Sequence, residues 1–144
     1  RLICGNSICF RNQLEFYGGF MGELVYEPLM PISYELAQEQ LKNGNEDELL
    51  LLPLRVGEYI AYWDSAQDIC VKLMEHSNPA IRANAALGLS YIARNHGKLD
   101  KRIVKPYLLK ELRENKEFNW RIRDAIEDIN LFMSWNLAAK HGIG

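Results

Sequence analysis

Apolar residues recur along most of this chain at spacings of three and four, the period of an amphipathic helix. Residues 33–43 are the first clear case. Ser33 stands in the cap position, and Tyr34, Leu36, Ala37 and Leu41 supply an apolar side. Asn43-Gly44-Asn45 predicts a stop, because Asn and Gly tolerate the left-handed backbone of a helix C-terminus. The next helix opens on Glu46-Asp47-Glu48, three carboxylates that complement the positive end of the helix dipole. Pro53 is expected to break or kink it, or to open a new helix as first residue. A helix over 54–63 then carries Val56, Ile60 and Trp63 on one side.

Asp64 or Ser65 is expected to cap a helix reaching about Glu75, with Ala66, Ile69 and Leu73 recurring on its apolar side. Asn78 and Pro79 form a paired start signal, a capping side chain followed by a proline in the first turn. Ile81, Ala85, Leu89 and Ile92 form the stripe of that helix, and Asn95-His96-Gly97 stops it. Asp100 caps a helix through about Arg113, with Ile103, Val104, Tyr107, Leu108 and Leu112 inward. Asn119 is expected to cap the last long helix, whose stripe is Ile122, Ile126, Ile129, Phe132 and Met133. The tail from Lys140 to Gly144 is expected to fray.

The first 30 residues are less regular. Phe10, Leu14, Tyr17, Met21 and Leu24 have helical spacing, but Gly18, Gly19 and Gly22 each cost about 1 kcal/mol against Ala in a helix interior. A hairpin about the Gly-Gly pair is the competing reading, and Pro28 and Pro31 bracket a turn. No convincing strand pattern occurs elsewhere, so the chain reads as all-α.

Composition narrows the class. The 144 residues are 48% hydrophobic and 25% charged, which excludes disordered, collagen-like and low-complexity chains. The longest apolar run, Leu49 to Leu54, falls far short of the roughly 20 residues a membrane helix needs. Arg1 is followed by only three apolar residues before Gly5, so no signal peptide is expected. Cys4, Cys9 and Cys70 are odd in number and lack CxxC spacing, which favours reduced thiols in a cytoplasmic protein over a disulfide framework.

The net charge of −2 hides an asymmetry. Residues 1–75 hold 5 basic and 12 acidic side chains, a net −7, whereas residues 76–144 hold 12 basic and 7 acidic ones, a net +5. An acidic first half suits a basic partner, and the sequence pI of 5.9 argues against a general nucleic-acid binder.

The chain also repeats itself. Residues 64–99 and 100–135 share one plan of capped helix, polar turn and second helix, and 33–63 is a looser third copy. Laying Ile81-Arg82 on Trp120-Arg121 pairs Ala86 with Ala125, Leu87 with Ile126 and Ile92 with Leu131; Ile122-Arg123 is the alternative register. The segment from Asn78 to Gly88 resembles the second-helix signature of HEAT-like repeats: Asp-Pro, an aliphatic residue, Arg, two free positions, Ala-Ala, then Leu-Gly. Asn78 stands where the Asp is usual. The resemblance implies a HEAT-like α-solenoid of about three antiparallel helix pairs, a single domain over 1–144 with an N-terminal helical extension over 1–32. Small residues at Ala85, Ala86 and Gly88 are expected to let a neighbouring helix approach closely, and Arg82 to clamp a carboxylate or carbonyl of the adjacent turn. A pair cannot bury its apolar face alone, so neighbours must stack.

Catalytic patterns are missing. There is no HExxH, GxSxG or Walker loop, and no Cys/His cluster with metal spacing, so neither enzyme activity nor a cofactor or metal is expected. His76 and His96 read as helix C-terminal residues, favoured there by the dipole. The richer cluster is Glu58, Tyr59, Tyr62 and Asp64, with Glu46, Asp47 and Glu48 near in sequence. Tyrosine offers rigid contact area with a polar tip, so these residues are the expected partner-binding set, while Trp63 reads as core.

Size, fold and charge together are similar to those of small immunity proteins of bacterial toxin systems, including contact-dependent inhibition. That resemblance implies a protein partner, a basic toxin domain such as a nuclease, blocked by occlusion. Two rival expectations are a scaffold or adaptor segment of a larger HEAT array and a HEAT-like DNA-repair glycosylase. The latter would need a basic groove, to which Arg82, Arg94, Arg121 and Arg123 could contribute.

Overall fold

In the computed structural model, residues 29–138 are described. The reading of the first 28 residues and of the tail lies outside them. The chain divides between Pro31 and Ile32 into two compact units. The second unit holds six helices: α1 (Tyr34–Asn43), α2 (Glu46–Tyr59), α3 (Trp63–Leu73), α4 (Pro79–His96), α5 (Lys101–Glu114) and α6 (Asn119–Met133). The described residues contain no strand, so the all-α expectation stands for them.

The predicted starts are mostly right, and side chains make them. Ser33 Oγ accepts from Leu36 N at 3.1 Å, Asn78 Oδ1 from Ala80 N at 2.8 Å, and Asp100 Oδ1 from Arg102 N at 3.1 Å. At α2 a capping box forms: Asn45 Oδ1 accepts from Glu48 N, and Glu48 Oε1 accepts from Asn45 N. Two starts differ from expectation. Neither Asp64 nor Ser65 caps α3; Tyr62 precedes its first residue and supplies no side-chain bond. Trp63 therefore begins α3 rather than closing the helix before it. Phe118, not Asn119, precedes α6, and Asn119 Nδ2 instead donates to Leu112 O at 2.8 Å.

The stop at Gly44 works differently from the predicted left-handed turn. Its backbone is extended, with φ −69° and ψ 150°. Glycine is needed there for space, since a Cβ would lie 2.6 Å from Gln40 O. Gly97, by contrast, closes α4 in the left-handed region with φ 64°.

Pro53 does not end its helix, because α2 runs unbroken from Glu46 to Tyr59. Proline leaves the Leu49 carbonyl without its usual helical donor. This part of α2 is packed against α4: Asn84 Nδ2 donates to Leu50 O at 2.7 Å, and the Pro53 carbonyl lies against Gly88. A Cβ on Gly88 would meet Pro53 O at 2.6 Å and Cys70 Sγ at 2.9 Å. One on Gly57 would meet Gly88 O at 2.7 Å. The close approach expected of the Leu-Gly segment is thus the crossing of α2 and α4.

α4 is the centre of the unit. It packs most extensively against α2 and α6, and also against α3. Ile81, Ala85, Leu89 and Ile92 are wholly buried, as the stripe predicts, but every residue from Ala83 to Ala93 is buried too. The outer helices show narrower contact faces. Tyr34 and Leu36 on α1 and Ile103 on α5 were expected inward but are 41%, 42% and 44% exposed. α1 buries only Ala37 fully, and α5 packs through Val104, Leu108 and Leu112. On α6, Ile122, Ile126 and Ile129 are buried, while Phe132 and Met133 pack partly against the core. The repeat register over Trp120-Arg121 fails at both ends: Trp120 is 44% exposed where Ile81 is buried, and Leu131 is 68% exposed where Ile92 is buried.

Amide side chains bind neighbouring backbones at several junctions. Asn95 Nδ2 donates to Gly57 O at 3.0 Å, Gln67 Oε1 accepts from Asp100 N at 2.7 Å, and Asn115 Nδ2 donates to Pro79 O at 2.9 Å. Each ties one segment of the chain to the backbone of another.

Candidate functional site

The expected partner-binding residues occupy three places rather than one. Glu46, Asp47 and Glu48 are exposed in the first turn of α2. Glu48 is engaged in the capping box, and Glu46 Oε1 accepts from Asn78 Nδ2 at 3.3 Å. Glu58 and Tyr59 lie at the far end of the same helix, about 18 Å away at 1.5 Å per residue.

Glu58 is engaged within the chain. Its side chain is 13% exposed, and Oε1 accepts from Arg94 Nη2 and Asn95 Nδ2, which ties α2 to α4. Tyr59 is half-buried against the core. Tyr62 differs sharply: it is 73% exposed on extended backbone between α2 and α3. Its neighbour Trp63 packs against the core and Asp64 is exposed, with Oδ1 accepting from Ser65 N at 2.9 Å. The turn therefore holds a projecting tyrosine and a carboxylate on an anchored tryptophan.

A second polar feature lies between α3, α4 and α5. It is a pocket of about 260 Å³ lined by Glu75, His76, Arg82, Lys110, Glu111 and Glu114. Arg82 Nε donates to both Glu111 carboxylate oxygens, at 3.1 and 3.0 Å, and Nη1 donates to His76 O and Ser77 O at 2.9 and 3.0 Å. Asn115 Nδ2 adds a bond to Glu111 Oε1 at 3.0 Å. This is the expected clamp, and it holds together the loop before α4 and the last turn of α5. At the rim, Tyr107 OH donates to Glu75 Oε2 at 2.8 Å, and this bond first, with some burial and the carboxylate charge, holds the Tyr107 hydroxyl above its ordinary range.

The arginines considered for a basic groove are differently placed. Arg82 and Arg94 are held by Glu111 and Glu58, Arg121 is buried with its guanidinium 4.9 Å from the Trp120 ring centre, and Arg123 is exposed. Among the described residues, no three His, Cys, Asp or Glu side chains are grouped to hold a metal, and no helix is long and apolar enough to cross a membrane. Cys70 is wholly buried, and burial pushes its thiol far above the ordinary range.

Sequence reasoning missed one surface. Trp120 and Leu131 are exposed on α6. Their eleven-residue separation, three helical turns, sets them opposite Ile122, Ile126 and Ile129 and was the available signal. No protein-family model, no curated protein and no solved structure matches this chain.

Proposed function

We propose that this chain is a non-catalytic protein-binding module, a HEAT-like stack of three helix pairs that binds and blocks a basic toxin domain as small immunity proteins do. The pairing α1–α2, α3–α4 and α5–α6 supports the stack, with α2, α4 and α6 packed side by side in sequence order. The observation that carries the binding reading is Tyr62, 73% exposed beside Asp64 and Trp63. A large aromatic held out on an anchored turn loses little conformational freedom on binding, which is the property of an interface anchor. Acidic groups at Glu46, Asp47, Glu48 and Asp64 supply the field that draws in a basic partner. Because α4 is buried from Ala83 to Ala93, this reading places the contact on α2 and the α2–α3 turn rather than on the central helix.

The test is co-expression with a toxin domain encoded by the adjacent gene. Wild-type protein protects the cells. A folded variant carrying Tyr62→Ala and Asp64→Lys is expected to lose protection and to bind the isolated domain with faster dissociation. Full protection by that variant, with unchanged binding kinetics, would remove the α2–α3 turn as the binding surface.

A further inference from the structure

The outward face of α6 presents Trp120, Arg123, Glu127 and Leu131 in one stripe, since offsets of three, seven and eleven residues return to nearly the same direction on a helix. All four are exposed, Trp120 by 44% and Leu131 by 68%. The stripe points away from Ile122, Ile126 and Ile129, the side buried in the core. Arg123 and Glu127 are one turn apart yet form no ion pair with each other or with another described residue. The Trp120 ring is held by the Arg121 guanidinium at 4.9 Å, so its orientation is set in the single chain.

The order apolar, cationic, anionic, apolar is its own complement when read backwards. A two-fold axis across the middle of α6 sets Trp120 of one chain against Leu131 of another, and Arg123 against Glu127, each contact occurring twice. That is the requirement of an isologous interface. We infer that a second copy of this chain covers the outward face of α6, in an antiparallel α6–α6 contact closed by Trp120–Leu131 packing and Arg123–Glu127 pairing. The inference is independent of the toxin reading, which uses the α2–α3 turn. A single helix face is small for an interface, so the association belongs to the weak, concentration-dependent class.

Sedimentation velocity over micromolar to millimolar concentrations tests it, with circular dichroism confirming that each variant is folded. Wild type is expected to pass from monomer to dimer and no further. Leu131→Arg, Arg123→Glu and Glu127→Arg, all at exposed positions, should each weaken the dimer about tenfold or more. The doubly exchanged variant, Arg123→Glu with Glu127→Arg, should restore it, because the two-fold axis brings the exchanged charges together again. A chain that stays monomeric throughout would overturn the proposal and leave this face to a different protein. A dimer unaffected by Leu131→Arg would overturn it as well, as would single charge exchanges whose effects the double exchange does not repair.

Discussion

Arg82 and Glu111 are 29 residues apart in sequence and meet through both carboxylate oxygens of Glu111, at 3.1 and 3.0 Å. The Glu111 side chain is 4% exposed and that of Arg82 is 22% exposed. Removing one member of such a pair leaves the other charged, desolvated and without its partner. Glu111→Ala is expected to cost about 3 kcal/mol in denaturant unfolding. Arg82→Lys should recover little, because a single ammonium cannot reach Glu111, His76 O and Ser77 O with one fixed fork. The double variant should be less damaging than the sum of the single ones.

Gly88 and Gly97 are both glycine, for different reasons. At Gly88 an added Cβ would strike the Pro53 carbonyl at 2.6 Å, and that carbonyl belongs to a packed helix. Gly88→Ala is therefore expected to destabilise by about 1–3 kcal/mol, as overpacked sites do. Gly97 has open space around its Cβ position but a φ of 64°. Gly97→Ala should cost about 1 kcal/mol, and Gly97→Asn distinctly less, since Asn tolerates that conformation. Thermal unfolding of the three variants checks both expectations.

Tyr62→Ala should leave the unfolding midpoint nearly unchanged, because the side chain is 73% exposed. If Tyr62 is the anchor of a partner, the same change should raise the dissociation constant by about thirtyfold, equivalent to roughly 2 kcal/mol. Glu58→Ala is expected to do the reverse, lowering stability through the loss of Arg94 and leaving partner binding intact. Calorimetric unfolding and surface binding kinetics on the same two variants separate the roles.

The Tyr107–Glu75 bond should show in alkaline titration. A hydroxyl donating to a carboxylate resists ionisation, so the folded chain holds the Tyr107 proton to higher pH than the unfolded chain. The stabilisation is complete while tyrosine is neutral in both states and is lost as pH rises through the raised folded value. Absorbance titration is expected to show a late-ionising component that shrinks in Tyr107→Phe and moves down in Glu75→Gln. An unchanged curve in both variants would contradict the bond.

Cys70 should stay unmodified by thiol reagents at mildly alkaline pH in the native protein and react fully in denaturant, because it is wholly buried and its thiolate is suppressed. Peptide mass mapping distinguishes Cys70 from Cys4 and Cys9. Rapid native labelling of Cys70 would mean that the crossing of α2 and α4 opens readily.

Much of the fold was legible because caps are local. Ser33, Asn78 and Asp100 act on backbone groups two or three residues away, which sequence spacing states directly. That α2 continues through Pro53 is not stated by local spacing, and the Gly88 backbone against which the Pro53 carbonyl packs lies 35 residues further on. The pairing of Glu58 is equally hidden from local spacing, since Arg94 lies 36 residues away. Periodicity also overstates the inward face of an edge helix. It gives Tyr34, Leu36 and Ile103 the same weight as Ala37 and Val104, while the packing neighbours cover only one side.

The burial of α4 from Ala83 to Ala93 has a kinetic consequence. In a long repeat array the end units can fray while the middle persists, because each unit touches only its neighbours. Here α4 is the wall shared by α2 and α6, so peeling away either one uncovers α4 and removes its support. Local opening of that helix is then as costly as complete unfolding. Its amides should exchange with solvent at the global rate, as one cooperative block, while those of α1 exchange well ahead of them.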